Sequence, residues 1–508
     1  MSISKRRVVY VAALIVGALA ASRAAPVRAA SVASEEQLRT EFAALAERLA
    51  IPGLSYGVVR NGEVVLEGAV GFFGSPDQPF SVDSPVDVAS ISKSIAAVAV
   101  MQAVERGELE LSDAVRSLLP DFSGPASVTV RHLLSHTSEG IPGEEFMYMP
   151  TRFALLGSIL ERVVGQPYPS IVRERILAPA GMVEHPSPNL TAGWGLISTA
   201  GDLFKYAMAL DKEVLIERQA QDQMASPVNS PRGVDLPVGL GWFCREIQGE
   251  PVAWGFGQES DGESSALFFR VPRLQLTLVI VAESDRLSNP FRLLHGDVRS
   301  SPFAMAFFRN FVASSGLAGR QPADWASLDV AELSAELDTL ETPGSYNYGS
   351  ELVAHAFVEL ESDPSRAGDL FELALRRYPD LEPSLSWLEL ANWLGRESLG
   401  PFAARLADRL VTTRPMNPWV LTAAGSAYME FGDPLEAVAT WSRVAALPNR
   451  ERHFLNTSLN AMAWNDIGEY WLEKDPGLAR TFFLRAIETG GGWELSRSQR
   501  LLRDAAQD

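Results

Sequence analysis

The stretch Val88-Ala89-Ser90-Ile91-Ser92-Lys93-Ser94 carries the most information about this chain. It places a serine hydroxyl and a lysine amine at positions i and i+3, which brings both side chains to one face of a helix. An apolar run over residues 95–101 follows at once, so the helix is expected to be buried. A lysine in a desolvated pocket has a lowered pKa and can accept the proton of a neighbouring serine hydroxyl. Ser90 is therefore a candidate nucleophile, with Lys93 as its base.

The Ser-x-x-Lys pattern is weak evidence by itself, because Ser2 and Lys5 match it as well. That second copy lies in a segment typical of an export signal, where basic residues precede an apolar run over residues 8–21 and small residues follow around Ala29. We therefore predict a signal peptide over residues 1–30 and an exported protein, periplasmic or secreted, without a membrane span in the mature chain. An uncleaved membrane anchor is the alternative for this segment.

The composition indicates an acidic globular protein with more than one domain. The chain has 508 residues, of which 46% are hydrophobic and 21% are charged, and this length predicts two or three domains. A formal net charge of -19 argues against a role in nucleic-acid binding. The single cysteine, Cys244, excludes an intrachain disulfide, and its strand-like surroundings favour a buried, inert thiol.

The residues before the motif predict a helix followed by an antiparallel strand pair. A capping-box pattern opens an amphipathic helix over residues 34–49. The β-rich runs 54–60 and 63–70 are joined by Asn61-Gly62, the strongest short signal for a hairpin.

A tyrosine is predicted to lie on a loop downstream of the motif. Pro150 forces Met149 out of helical geometry, so Tyr148 precedes the next helix, over residues 153–164. The strand-like runs 238–247, 263–271 and 274–282 predict a three-strand antiparallel meander, and residues 301–312 predict a helix that covers the sheet.

Taken in order, these elements and several local motifs resemble the penicillin-recognising serine hydrolases, especially the branch of class C β-lactamases, D,D-peptidases and related esterases. The resemblance covers residues 34–312 and implies an α/β fold, a β-lactamase/transpeptidase-like domain with an antiparallel sheet flanked by helices plus a helical subdomain. The motifs that carry it are Ala89-Ser90-Ile91-Ser92-Lys93, His132-Leu133-Leu134-Ser135-His136-Thr137-Ser138, Leu155-Leu156-Gly157 with Glu161 and Gly165, Gly195-Leu196-Ile197-Ser198-Thr199-Ala200 with Asp202, and Gly239-Leu240-Gly241-Trp242.

The resemblance also implies roles for three residues. Ser90 would attack the acyl carbon, Lys93 would serve as its base, and Tyr148 would match the tyrosine of the family's Tyr-x-Asn element. A tyrosine with a lowered pKa beside a lysine can shuttle the proton to the leaving group. The family places one oxyanion donor at the backbone N–H of the nucleophile and the other on the first strand of the late meander. His136 is expected to be structural.

Two elements of the family pattern are replaced. Pro150 stands where the asparagine of Tyr-x-Asn is expected. Phe256 stands in the place of the Lys or His of the third element, with Gln258 in the place of its glycine. That cation helps the family to bind a substrate carboxylate, so its loss argues against β-lactams and terminal D-alanyl peptides. The predicted oxyanion and substrate pocket, lined by aromatic side chains at its mouth, consists of Trp254, Phe256, Gly257, Gln258 and Glu259.

The last third of the chain has a different character. Residues 313–345 are predicted to be a linker, residues 347–492 a helical region, and residues 493–508 a tail. Two segments have nearly the same spacing, Ala367-Phe371-Ala374-Pro379 and Ala437-Trp441-Val444-Pro448, which resembles the second helix of a tetratricopeptide repeat. Such a stack leaves a concave surface for a peptide or protein partner, and a helical cap that only shapes the hydrolase cleft is the alternative.

The leading hypothesis is thus an exported serine hydrolase that cleaves an ester or amide through an acyl-enzyme on Ser90, with no metal or organic cofactor. One alternative is a β-lactamase or D,D-carboxypeptidase acting on cell-wall peptides. Another is a catalytically decayed binding protein whose helical repeats recruit a partner.

Overall fold

The computed structural model describes residues 32–259, 261–313, 326–341, 346–447, 458–489 and 493–504. The predicted signal peptide lies outside the described residues, as do residues 314–325 and 342–345 of the predicted linker. Within the described residues, no helix has the length and apolar character needed to cross a membrane.

Nine strands form two antiparallel sheets. The larger sheet has seven strands in the order β3-β2-β1-β9-β8-β7-β6, and β4 pairs with β5 in a small second sheet. The strands are β1 Gly53–Arg60, β2 Glu63–Phe73, β3 Ser75–Pro79, β4 Val86–Asp87, β5 Ile197–Ser198, β6 Phe243–Ile247, β7 Glu250–Gln258, β8 Ser265–Val271 and β9 Leu276–Ala282.

The predicted hairpin is confirmed. β1 pairs with β2 in antiparallel register, and Asn61 and Gly62 at the turn have φ angles of 53° and 75°. Two positive φ angles at the centre of a two-residue loop match the twist of the flanking strands, which is why Asn-Gly is favoured there. β1 also pairs with β9, so the hairpin joins the N-terminal part of the chain to the late strands.

The late meander has four strands, and the prediction of three was wrong. β7 pairs with β6 at one end and with β8 along its length. Its glycine residues weaken the strand pattern in the sequence, because glycine is depleted in strands and is tolerated where another backbone approaches closely. This strand proves to be the one that faces Ser90.

Helices cover both faces of the large sheet. Leu278 and Ile280 on β9 pack into one core with α1 and α10, while Val279 and Val281 pack into a second core with α2, α5 and α8, as strand alternation requires. The helices of this region are α1 Val32–Arg48, α2 Ser92–Glu105, α3 Val115–Leu118, α4 Val130–Leu134, α5 Pro150–Val164, α6 Tyr168–Val172, α7 Ala178–Ala180, α8 Ala200–Asp211, α9 Arg218–Met224 and α10 Pro302–Phe307.

The C-terminal part is helical, as expected. Its helices are α11 Val330–Leu340, α12 Gly349–Glu359, α13 Pro364–Arg377, α14 Leu385–Leu394, α15 Gly400–Thr413, α16 Pro418–Phe431, α17 Pro434–Ala446, α18 Leu459–Leu472, α19 Pro476–Thr489 and α20 Trp493–Asp504. From α14 to α20 each helix packs against the next. We call α12 to α19 the helical region.

Two segments predicted to lack regular structure contain helices. α11 lies inside the predicted linker, where Asp329 and Glu332 form a capping box and Leu333 and Leu337 are buried. α20 lies inside the predicted tail, where Leu501 packs with residues of α19.

The helical region packs directly on the first region. The core that contains α1 and α10 continues without a break into α12, α14 and α16. A buried ion pair crosses the same boundary, since Arg309, which also bonds to Glu41 of α1, lies 3.1 Å from Glu351 of α12. Burial raises the pKa of Glu351 to about 7, although Arg309 opposes the shift.

Candidate active site

Ser90 lies in a short 3₁₀ turn, Ala89–Ile91, directly before α2. Ala89 has a φ of 47°, in the left-handed region that a non-glycine residue rarely adopts. The carboxylate of Asp87 holds this turn by accepting a hydrogen bond of 2.8 Å from the Ala89 N–H. Such backbone strain persists only where the surroundings determine it, and it is concentrated at functional sites.

Two hydroxyl groups fix the start of α2. The Ser92 hydroxyl donates to the Ala89 carbonyl at 2.6 Å and accepts from the Leu196 N–H at 3.2 Å. The Ser94 hydroxyl donates to the Ile91 carbonyl at 2.8 Å. The serine-rich motif thus shapes the turn that presents Ser90, and only one of its serines is placed to react.

Lys93 lies directly beside the predicted nucleophile. Its Nζ is 2.7 Å from Ser90 Oγ and donates to the Gly193 carbonyl, also at 2.7 Å. Burial lowers the pKa of Lys93 to about 7, and the nearby Glu259 carboxylate opposes part of that shift. Near neutral pH a substantial fraction of this amine is uncharged and can take a proton from the serine.

Tyr148 is on the predicted loop, two residues before α5, and its buried ring lies 5.0 Å from Lys93 Nζ. Burial raises its pKa, and a hydrogen bond with Ser90 offsets only part of the effect. The expected lowering of this pKa was therefore wrong, because desolvation of the phenolate outweighs the neighbouring groups. Tyr148 is a neutral phenol, which can donate a proton to a leaving group.

His136 supports the tyrosine loop. It is buried, and burial lowers its pKa well below the usual range. Its Nδ1 accepts from the Met149 N–H at 3.1 Å, and its carbonyl accepts from the Met147 N–H at 2.8 Å. Its ring lies 4.6 Å from that of Tyr148. The expectation of a structural histidine agrees with these contacts.

The end of β7 closes the site opposite α2, and Gly257 makes this possible. A Cβ atom at Gly257 would lie 2.2 Å from the Val88 carbonyl oxygen, so only glycine lets the strand approach the backbone before Ser90. The Ser288 hydroxyl donates to the Gly257 carbonyl at 3.1 Å and lies 3.4 Å from Gln258 Oε1.

The orientation of the β7 amides follows from the ladder. The Glu259 N–H donates to the Ser264 carbonyl at 3.1 Å, on the β8 side. Because amides alternate between the two edges of a strand, the Gln258 N–H points to the other edge. β6 pairs with β7 only as far as Trp254 and leaves that edge uncovered beside the Ser90 turn.

The predicted aromatic mouth needs correction at Trp254. This residue is fully buried and stacks on Phe243 at 5.4 Å, so it supports the site from below and does not line an opening. Phe256 lies two residues further along β7, nearer the nucleophile. It has 5% of its surface exposed, and its ring lies 5.5 Å from the Tyr148 ring. An apolar ring thus occupies the position where the resemblance predicts a cation.

One contact of the site was not predicted from the sequence. The Gly193 carbonyl accepts from Lys93, and Thr191 Oγ1 holds this turn by accepting from the Gly193 and Trp194 N–H groups, both at 3.1 Å. The residue type at a position does not show that its backbone carbonyl accepts a hydrogen bond in a site. In the sequence, only the closeness of Gly193 to the Gly195 motif indicates this contact.

Comparisons with known proteins agree with this arrangement. A family model described as Beta-lactamase matches residues 38–294, half of the chain. Penicillin-binding protein 4* of Bacillus subtilis (strain 168) is 24% identical over 287 residues, which cover 41% of this chain and 63% of that protein. Esterase EstB of Burkholderia gladioli is 29% identical over 187 residues, which cover 27% of this chain and 47% of that protein.

Among solved structures, the octameric penicillin-binding protein homologue from Pyrococcus abyssi is similar with a TM-score of 0.45 and 22% identity, covering 51% of this chain and 76% of that chain. The chain spans less than two thirds of the length of the two curated relatives named above. The family model nevertheless spans α2, the Tyr148 loop and β7 together. This chain therefore belongs to the β-lactamase family of serine hydrolases.

Proposed function

We propose that the protein hydrolyses an ester or amide through an acyl-enzyme on Ser90. The observation that carries the proposal is the buried Lys93 amine, 2.7 Å from Ser90 Oγ with its pKa lowered to about 7. A serine hydroxyl is a weak nucleophile until an adjacent base takes its proton, and this amine has both the position and the pKa for that task.

The reaction has two steps. In acylation, Ser90 Oγ forms a bond to the acyl carbon while Lys93 takes the hydroxyl proton. The bond to the leaving group then breaks as the Tyr148 hydroxyl donates a proton to it, and the Lys93 ammonium returns a proton to Tyr148. In deacylation, water attacks the acyl carbon and gives a proton to Lys93. The bond between the acyl carbon and Ser90 Oγ then breaks as Ser90 Oγ takes a proton from Lys93, which releases the acid and the free serine.

Two backbone amides are proposed to stabilise the tetrahedral intermediates. The Ser90 N–H is one donor, at the start of a buried helix whose dipole favours negative charge. The Gln258 N–H, on the uncovered edge of β7, is the other. Pre-oriented donors of this kind often make the largest single contribution to acyl transfer.

The substrate is proposed to lack a carboxylate beside the scissile bond. Phe256 replaces the cation that would bind one, and the Glu259 carboxylate is close enough to act on Lys93. An apolar acyl or alcohol group fits beside Phe256 and Tyr148. The relative from Burkholderia gladioli is named an esterase, which agrees with this choice.

The two alternatives fit less well. A β-lactam or terminal D-alanyl peptide carries a carboxylate next to the reacting carbonyl, for which the Phe256 position offers no cation. A decayed binding protein has no need of a lysine buried beside a serine, and such burial costs free energy. Export remains a proposal that rests on residues 1–30.

A second proposed activity is peptide binding in the helical region. A cleft of about 1090 Å³ lies between α12 to α18 and the first region. Trp393 lines it with 59% of its surface exposed, and large exposed aromatic side chains are typical anchors for peptides. Its walls also include Trp419 and Met462. An extended peptide of a few residues fits this volume.

Ser90→Ala should abolish covalent labelling. We expect the wild-type protein to be labelled by a fluorophosphonate and to turn over short-chain nitrophenyl esters, with the adduct located on Ser90 by mass. A fluorescent penicillin should not label it. Ser117→Ala, which removes an exposed hydroxyl on α3, serves as the control for the assignment of the nucleophile. Equal labelling of the wild-type and Ser90→Ala proteins contradicts the proposal.

The hydrolysis rate should rise with pH through about 7. Lys93 accepts a proton only when it is uncharged, and its pKa is lowered to about 7, so the active fraction falls as the pH drops below that value. The pH dependence of kcat/KM for a neutral ester reports this group, because such a substrate does not titrate. A midpoint near the ordinary lysine value would mean that Lys93 does not act as the base.

Gly257→Ala should lower kcat/KM by about 100-fold, because the new Cβ meets the Val88 carbonyl and displaces β7 from the nucleophile. Gly255→Ala is the matched control on the same strand. Its Cβ would find only Ile91 Cδ1, at 3.4 Å, so the activity should stay within about twofold of wild type. Similar activities in the two variants would contradict the role of β7.

Trp393→Ala should weaken peptide binding by about 10-fold or more, as expected for an exposed aromatic anchor. Peptides selected from a random library on the wild-type protein supply the ligands. Leu435→Ala, which removes another exposed apolar side chain outside the cleft, should bind them normally. A failure to select any peptide, or an equal loss in both variants, rules out this second activity.

A further inference from the structure

Asn417 in the helical region contacts the loop that carries Tyr148. It is 6% exposed and forms the N-cap of α16. Its side-chain oxygen accepts from the Trp419 and Val420 N–H groups at 3.0 and 3.2 Å. Its Nδ2 donates to the Phe146 carbonyl at 3.1 Å, across 271 positions of sequence. One buried amide therefore caps a helix and holds a backbone group two residues from Tyr148.

The loop is fixed on either side of Tyr148 by backbone contacts. His136 accepts from the N–H groups of Met147 and Met149. Both hydrogen bonds are accepted by His136, a residue of the first region, and both hold backbone N–H groups of the loop. The Phe146 carbonyl is held by Asn417, so the loop is held between His136, in the segment after α4, and the N-cap of α16.

A buried carboxylate adds a second contact between this loop and the helical region. Glu145, 4% exposed, bonds to Arg232 at 2.7 Å. Burial raises the pKa of Glu145, and Arg414, Arg232 and a backbone hydrogen bond from Met416 act against that shift. Arg414 and Met416 belong to the segment that leads into α16, so consecutive loop residues are both held by the helical region.

We propose that Asn417 is a positioning residue for Tyr148, which makes the helical region part of the catalytic unit. The inference rests on the proposed function in one respect, the role of Tyr148 as proton donor to the leaving group. A displacement of about 1 Å at a catalytic group can cost about 100-fold in rate, and a buried amide held at both ends suppresses such displacement.

The chemistry predicts a selective defect. The proton of Tyr148 is needed when the leaving group is a strong base, such as an alkoxide or an amide nitrogen. A nitrophenolate leaves without it. Loss of the Asn417 contact should therefore slow alkyl esters much more than nitrophenyl esters. General destabilisation of the fold lowers the active fraction and slows both substrates by the same factor.

Two variants remove the contact, and a third serves as the control. Asn417→Ser keeps a good helix cap, but its shorter side chain does not reach the Phe146 carbonyl. Asn417→Asp also keeps the cap and replaces the donor by an acceptor, and it serves if the serine variant folds poorly. Asp433→Ala is the control, because Asp433 caps α17 by accepting from the Leu435 N–H, is exposed, and lies on another helix.

The full-length variants are compared by hydrogen exchange and by turnover. We expect faster exchange of the amides over residues 144–149 in the Asn417 variants, and unchanged exchange there in Asp433→Ala. For an alkyl ester, kcat/KM, which reports the acylation step, should fall by about 10-fold, while kcat/KM for the nitrophenyl ester changes by less than about twofold. The ratio of the two rates should stay at the wild-type value in Asp433→Ala.

Unchanged exchange over residues 144–149 in the Asn417 variants overturns the inference whatever the activity. An equal slowing of both esters also overturns it, because that result means a loss of folded protein. A wild-type protein that hydrolyses neither ester contradicts the proposed function instead, and the exchange comparison still decides whether Asn417 holds the loop.

Discussion

The site depends on an amine that is removed from water. Lys93 is buried between the Ser90 hydroxyl and the Gly193 carbonyl, and its loss of hydration brings its pKa near neutrality. An ammonium needs strong partners in such a place, and a carbonyl and a hydroxyl stabilise it less than water does. The surrounding structure excludes water from this amine. The apolar α2 and the aromatic rings around Tyr148 both contribute to this.

Elements with local signals could be predicted from the sequence. Asn61-Gly62 indicates a hairpin because the turn requires two positive φ angles. Pro150 indicates that Tyr148 precedes α5, because the proline ring keeps the residue before it out of helical geometry. β7 could not be predicted in the same way, because Gly257 is required by its contact with Val88, which is distant in sequence. The raised pKa of Tyr148 follows from packing, and no neighbouring residue in the chain indicates it.

The same limit applies between the two regions. The amphipathic helices predict a helical region, and the structure has one, but the contact of Asn417 with Phe146 joins residues that no motif connects. In the sequence, an asparagine before a proline predicts only a helix cap. The contact of Asn417 with Phe146 depends on the surface against which α16 packs. The apolar faces of both regions together determine that packing.

The uninterrupted core has a consequence for how this architecture can change. Leu352 and Trp387 of the helical region are fully buried in the core that also holds Phe42 and Phe307. A shortened gene product ending after α10 would present that apolar surface to solvent, and unpaired apolar surfaces of this kind promote aggregation. Because the two regions share one interior, neither can be removed or exchanged for another module unless the apolar surface left on the other is covered again.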